Sequence, residues 1–399
     1  MSEATVAWSR AARQALPAMR AWRAAFHQDP ELSGEELRTR EKVLQALREL
    51  GVPAATFPGH LYGVVGLLGE RTAGPVVALR ADMDALPVEE ATGLPFRSRR
   101  PGTMHACGHD VHMASLLGAA LILNRNPRAL GGAVKLLFQP AEEDGTVGGA
   151  LPMIEHGCLE RPTVDYVVGQ HVDPTIPIGS VGWGIGPFMA SADEFRITVR
   201  GRGGHASTPQ QGPDAVLAAA EIVTGVQALA SRIRDPTDPV VVSVGSIHGG
   251  TRHNILPDTV VLEGTVRTVQ PATRELMERA LKRRVRGLAA SLGARARVDY
   301  RRGYPPLINP GPATEAVVRA LEVEFGRTSV VHVQRPHMGA EDFARYLERV
   351  PGTFLRLGVA VPGRPASLHS ATFAPDERAM VVGAATLAAA AVGLQRAAR

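Results

Sequence analysis

Glu194-Phe-Arg-Ile-Thr-Val-Arg200 alternates apolar with polar side chains, so Phe195, Ile197 and Val199 share one face of an extended segment. That is the pattern of a half-buried strand in a sheet with one wet side. C-terminal to it the chain predicts a helix over 213–233, strands over 240–247 and 259–268, a helix over 272–292 and a strand over 295–301. The order β-α-β-β-α-β is that of a split βαβ, ferredoxin-like α+β unit. N-terminal to it the strands change character. Residues 63–68, 75–79, 133–138 and 165–168 are short apolar runs, of the kind buried on both faces of a sheet. Helical patterns over 33–50 and 111–123 alternate with them. The first has Ser33 as N-cap, Glu36 completing a capping box and Gly51 as its stop. The second opens after Asp110 as N-cap. Beyond Pro305-Pro306 the same alternation resumes, with helices over 313–325, 341–349 and 380–394 and a strand over 354–357. The expected fold class is α/β: a mixed-sheet, three-layer domain of residues 1–187 and 304–399, interrupted by an α+β domain at 188–303.

With 399 residues, 45% hydrophobic and 21% charged, the chain can bury a large core without disulfides. Two cysteines, Cys107 and Cys158, exclude a disulfide scaffold and suggest a reducing compartment. Basic residues outnumber acidic ones by 44 to 39, and the pI of about 9.6 raises a nucleic-acid reading. Yet 41 of those 44 are scattered arginines, with dense clusters only at 97–100 and 282–286, as on a solvated surface. No nucleic-acid partner is therefore expected. Residues 1–23 read as an amphipathic helix containing Glu3 and no apolar h-region, unlike a signal peptide. The alanine-rich run 380–394 is shorter than a bilayer span and suits a helix packed on a sheet. No membrane partner is expected, and a cytoplasmic location is the default.

Chemistry-bearing residues recur just after the apolar runs, where α/β enzymes place their sites. Asp82 and Asp84 follow the strand at 75–79, able to bind a metal, orient a ligand or cap a turn. In Met104-His105-Ala-Cys107-Gly108-His109-Asp110-Val-His112 a thiol and an imidazole stand two residues apart before a helix. This suits a soft metal site, with the helix N-terminus favouring the thiolate. A Cys–His nucleophilic pair and a structural cluster are the alternatives. Glu142 and Glu143 follow the strand at 133–138. One carboxylate of such a pair can ligate a metal while the other acts as general base, although Glu-Glu is commonly surface. His171 and His369 are single histidines near predicted strand ends or loops. Parallel strands end on one edge, so these residues could meet. In the insert, Gly203-Gly204-His205 presents a histidine from a turn without the Gly-Lys-Ser/Thr of a P-loop. Asn254 and Arg267 could bind an anion, or could be capping and surface residues.

Taken together, Arg80-Ala-Asp82-Met-Asp84-Ala-Leu-Pro87, Met104-His-Ala-Cys107-Gly-His109-Asp110, Gln139-Pro-Ala-Glu142-Glu143, Gly203-Gly-His205-Ala-Ser-Thr-Pro209, Met338-Gly-Ala-Glu341-Asp342-Phe343 and Leu368-His369-Ser370 form an ordered set spanning nearly the whole chain. Each is weak alone; in this order they resemble the M20 metallopeptidase family, in its aminoacylase-like branch. That branch includes N-acyl-amino-acid amidohydrolases, hippurate hydrolases, indole-acetyl-amino-acid hydrolases and related carboxypeptidases. The resemblance implies a metal-dependent amidohydrolase with two divalent metal ions per subunit. Cys107, His109, Glu143, His171 and His369 are then the ligands, with Cys107 bridging. Thiolate, imidazole and carboxylate suit zinc first, and also Mn, Co or Ni. Glu142 becomes the general base. The insert becomes a lid and a dimerisation domain for a homodimer or homotetramer. Its His205 binds the oxyanion of the partner subunit's site, Asn254 assists, and Arg267 meets the carboxylate of an N-acyl amino acid or short peptide. One departure concerns the wider family's His-x-Asp-x-x-Pro. Alignment on Pro87 puts Asp84 at its Asp, orienting a ligand or the attacking water, and Asp82 at its His, with no role carried over. The competing functions are a cysteine hydrolase using Cys107 and a non-catalytic binding protein on the same scaffold.

Overall fold

The computed structural model describes residues 6–69, 74–363 and 367–398. Its large sheet has eight strands in the order Ala54–Thr56, Val64–Leu68, Val134–Gln139, Val77–Asp82, Tyr166–Pro177, Gly352–Ala360, Val181–Trp183 and Val330–His332. Val134–Gln139, Val77–Asp82, Tyr166–Pro177 and Gly352–Ala360 run parallel, and antiparallel pairs flank them, so the sheet is mixed. Val77–Asp82 and Val134–Gln139 are buried along their whole length, which explains their unbroken apolar patterns.

Both faces of this sheet are covered. On one face, a Cβ added at Gly383 of the Arg378–Ala397 helix would meet Ser115, Gln170 and Leu357, so this helix and His109–Asn124 lie directly on the strands. On the other, a Cβ at Gly169 would meet Phe343 and Phe354, and the Phe343 and Phe354 rings stand 5.0 Å apart. Gly169 and Gln170 are neighbours with opposite outlooks, as the two-residue strand period requires. Three layers result. The His109–Asn124 and Arg378–Ala397 helices are buried on nearly every side, which is why their sequences are apolar all round rather than striped.

The chain divides into two compact units: Met1–Gly186 with Ile308–Gln334 and Asp342–Arg399, and Pro187–Leu307 with Arg335–Glu341. The short segment Arg335–Glu341, placed by the sequence in the outer domain, groups with the inserted unit. In that unit Val240–His248, Thr259–Thr268, Asp193–Arg200 and Arg295–Arg302 form an antiparallel sheet in that order, and its helices are Ala215–Arg232 and Pro271–Ser291. Phe195, Ile197 and Val199 are buried on the helix-covered face, as their alternation demands.

Several boundaries differ from the sequence reading. The first helix is Trp8–His27, and Met1–Thr5 of the expected 1–23 helix lie outside the described residues. The expected 33–50 helix is Leu37–Glu49 and has no capping box: the Ser33 and Glu36 side chains bond elsewhere. The helix expected after Asp110 begins at His109, with left-handed Gly108 before it. Asp110 is not its cap; it is buried against Arg23 and His27. The expected 341–349 helix shrinks to Ala344–Leu347.

Candidate metal centre

Strand register places the donors. Asp82 pairs with Gln139 across the parallel Val77–Asp82 and Val134–Gln139 strands, and His171 stands two residues beyond Gly169, the partner of Arg80. Three neighbouring strands therefore deliver their chemistry to one edge. Gly108 supplies the next pair of groups. Its φ of +84° is left-handed, and an added Cβ would meet Val172 at 2.7 Å, so only glycine lets the chain turn tightly between Cys107 and His109. His369, itself left-handed at φ +62°, is tied to the same turn by its N–H bond to the Ala106 carbonyl at 2.9 Å. Such strained non-glycine conformations concentrate at functional sites.

The hydrogen bonds fix the tautomers. His109 Nδ1 lies 2.9 Å from the Asp84 carbonyl, and His171 Nδ1 lies 2.8 Å from the Val172 carbonyl. A carbonyl only accepts, so Nδ1 carries a proton in both, and Nε2 is the nitrogen whose lone pair a cation could take in place of a second proton. His171 Nε2 stands 3.2 Å from Cys107 Sγ. His109 Nε2 is buried without a hydrogen-bond partner among the described residues. An orphaned imidazole nitrogen among carboxylates and a thiol is what a metal ligand presents, the cation replacing a proton there. Ligand atoms of Cys107, His109 and His171 lie within 4.8 Å of one another, as do those of Cys107, Glu143 and His369. Cys107 belongs to both sets. The donor set, one thiol, three imidazoles and a carboxylate, fits two borderline-soft divalent cations.

Electrostatics agree. Burial, then the Glu143 and Glu142 charges, push the Cys107 thiol well above its ordinary range. Burial opposes charge on His109, yet the carboxylates of Asp82, Asp84 and Glu143 push its pKa up to about 10. Burial and the charges of His112 and His109 pull His171 down to about 3. Carboxylates therefore crowd His109 and Cys107, an environment that favours a bound cation.

Around the donors lies a second circle of residues. His112 Nε2 accepts from the Val172 N–H at 2.9 Å, so its Nδ1–H donates to Asp82 Oδ1 at 2.6 Å. Asp82 also meets Arg80 at 2.5 Å, and Arg80 bonds Asp342 at 2.9 Å. This gives Asp82 a place: it holds His112 and Arg80 beneath the site. Asp84 accepts from Ser33 Oγ at 2.7 Å and from the Glu143 N–H at 2.8 Å. Glu142 lies with His109 and Glu143 in another set of donors within 4.8 Å. Of the residues expected to act, seven therefore gather here: Asp84, Cys107, His109, Glu142, Glu143, His171 and His369. His205, Asn254 and Arg267 belong to the inserted unit. There, strand pairing sets His205 opposite Ile255, and the Ala206 N–H bonds the Asn254 carbonyl, so His205 and Asn254 are neighbours. Arg267 stands on Thr259–Thr268 opposite Val241, and no hydrogen bond joins it to either among the described residues. Cys158 is a buried core residue and belongs to none of the donor sets among the described residues. The sequence reading missed Ser33, Glu36 and Arg80 as parts of the site. Ser33 reaches Asp84, Glu36 reaches Ala141 and Arg80 reaches Asp342, 51, 105 and 262 residues away, and no local pattern signals those partners.

A three-layer α/β sheet with thiolate, imidazole and carboxylate donors converging at its strand ends is the architecture of a metal-dependent hydrolase. Residues 78–392 match Peptidase family M20/M25/M40. Thermostable carboxypeptidase 1 of Saccharolobus solfataricus is 40% identical over 373 residues, 93% of each chain. N-acetylcysteine deacetylase of Bacillus subtilis is 39% identical, with 92% of this chain and 94% of that one covered. A crystal structure from Bacillus subtilis, described as a dinuclear metal binding peptidase of the M20 family, superposes with a TM-score of 0.84 at 35% identity, covering 96% and 99%. The chain belongs to this family and is a hydrolase. That removes the non-catalytic reading.

Proposed function

We propose that this hydrolase cleaves the amide bond of N-acyl amino acids, or of short peptides with a free carboxylate, by attack of a water molecule. The observation that carries the reading is the pair of donor sets sharing Cys107, with His109 Nε2, in one of them, buried and without a hydrogen-bond partner among the described residues. Cys107, His109, Glu143, His171 and His369 would hold two divalent cations, zinc by preference, which supply Lewis-acid polarisation of the scissile carbonyl and a lowered water pKa. Glu142 takes the proton of the attacking water and hands it to the leaving amine, the work of a carboxylate beside but not within the ligand sets that share Cys107. Asp84 holds His109 in its tautomer and the Glu143 backbone in place. The deacetylase and carboxypeptidase names of the relatives support this substrate class.

Charge development on the carbonyl oxygen needs a donor. His205 is exposed, and its Nδ1 accepts from the Ser207 N–H at 3.1 Å, so its Nε2–H is free to donate. We place it, with Asn254, at the oxyanion of the partner subunit's substrate, and Arg267 at the substrate carboxylate. The inserted unit thereby serves as lid and dimer interface.

The 3.2 Å approach of Cys107 to His171 favours one rival, a cysteine nucleophile. The carboxylates that raise the thiol pKa oppose it, since the thiolate is the nucleophile. A hydrolysis screen of N-acyl amino acids on metal-analysed protein separates the two. Chelation is expected to abolish turnover and added divalent cation to restore it. Glu142→Gln is expected to retain metal but lose about 10²–10⁴ in rate. Undiminished activity after complete metal removal would transfer the reaction to Cys107, and a fully active Glu142→Gln would remove Glu142 as the base.

A further inference from the structure

The Glu142-Glu143 turn is held in a conformation that its own residues disfavour. Ala141 sits at φ +54° and ψ +39°, a left-handed region costing a β-carbon-bearing residue about 1 kcal/mol or more. Two buried carboxylates grip the turn by its backbone. Asp84 accepts the Glu143 N–H, and Glu36 accepts the Ala141 N–H at 2.7 Å. Glu36 comes from a remote part of the chain, immediately before the Leu37–Glu49 helix, and its side chain does not cap that helix. It is fully buried. No ion pair with it is found among the described residues, and its second oxygen, Oε2, meets no donor. It belongs to none of the sets of metal-ligand atoms. A buried carboxyl without a cation is costly unless it holds something in place; the backbone N–H groups of Gly34 and Glu36 itself lie near it, and the one it reaches from a remote part of the fold is that of Ala141.

We propose that Glu36 is a positioning residue for catalysis: by gripping the Ala141 N–H it locks the left-handed turn that aims the Glu142 carboxylate. This rests on the reading of Glu142 as general base. Ser33 and Glu36, three residues apart, then act as a pair. Ser33 holds Asp84, Asp84 holds the Glu143 end of the turn, and Glu36 holds the Ala141 end. The same two residues that resemble a capping box in sequence brace the active-site turn instead.

The test compares Glu36→Gln, which keeps an acceptor oxygen, with Glu36→Met, which has similar volume and no acceptor. Burial and the Asp84 charge push the Glu36 carboxyl up to about 8, so a neutral amide is a close stand-in at neutral pH. For each variant kcat, KM, bound metal and thermal midpoint are measured, with Glu142→Gln in parallel. Glu36→Met is expected to lose about 10²-fold in kcat, the scale of a misaimed catalytic group, with KM and metal content unchanged. Glu36→Gln is expected to stay within a few-fold of wild type. Three results overturn the proposal: full kcat in Glu36→Met, an equal loss in both variants, or a loss that tracks missing metal or unfolded protein. An active Glu142→Gln overturns the general-base reading instead, whatever Glu36 does.

Discussion

Three histidines of one cluster differ in what they can do because each makes a different backbone bond. His109 and His171 spend Nδ1–H on carbonyls and turn Nε2 toward the donors, that of His171 to Cys107 Sγ, whereas His112 spends Nε2 on the Val172 N–H and Nδ1–H on Asp82. His112 is therefore a brace. It ties Asp82 to the strand carrying His171, and removing it frees both. His112→Phe fills the space but makes neither bond, and metal affinity is expected to fall about 10–100-fold, as for other residues that orient ligands. Competition against a chromophoric chelator measures this; unchanged affinity would strip His112 of the role. The ligands themselves were readable from sequence, since cysteine, histidine and glutamate in Met-His-Ala-Cys-Gly-His-Asp and Gln-Pro-Ala-Glu-Glu advertise their chemistry by type. The braces were not. Ser33, Glu36 and Arg80 are ordinary residue types whose meaning lies in a partner brought close by folding, whereas His112, in the dense Met104–His112 stretch, could be read as a structural or supporting residue. Asp110 misled for the same reason: next to a helix start it looks like a cap, but Arg23 and His27 claim its carboxylate.

At the scale of elements, the site is as rigid as the layers behind it. Arg378–Ala397 approaches the strands closely because Gly383 has no side chain: an added Cβ would lie 2.7 Å from Ser115 Oγ and 2.9 Å from Gln170 Nε2. Gln170 is next to His171, so this contact sets how near the helix layer comes to a ligand-bearing strand. Gly383→Val is expected to destabilise by about 1–3 kcal/mol through overpacking. Gly287→Ala, with open space around it on Pro271–Ser291, is expected to be neutral or slightly stabilising. Urea midpoints of the two variants check the contrast; equal midpoints would mean the helix layer adjusts freely. Element type followed the period of the sequence nearly everywhere. Element ends did not, because caps and long-range hydrogen bonds compete for the same side chains: the Leu37–Glu49 helix starts late since Ser33 and Glu36 bond Asp84 and Ala141. Tyr166–Pro177 runs well past residue 168 because pairing with Gly352–Ala360 continues through His171.

At the scale of the molecule, a hydrolase unit carries a second unit spliced into its chain. On the inserted unit, Val216 and Leu217 are exposed on one helix and Ile247 on the edge strand Val240–His248. Exposed apolar groups, and a strand at the sheet's edge among the described residues, support the proposed self-association. If His205 acts across subunits, mixing Glu142→Gln with His205→Ala protein lets one intact site form in each mixed dimer. About a quarter of wild-type activity is expected after random exchange, from two nearly inactive parents. Mixtures no more active than their parents would confine each site to one chain.

The sequence by itself determined which elements form, which faces they bury and which residue types carry the chemistry, because periodicity and side-chain chemistry are local properties. Tertiary structure alone decided which nitrogen of each histidine bonds the backbone and that Asp82 joins His112 to Arg80. It also turned Ser33 and Glu36 inward to hold the Glu142-Glu143 turn. Those outcomes depend on hydrogen-bond partners contributed by distant strands, and a partner exists only once the sheet has brought it within 3 Å.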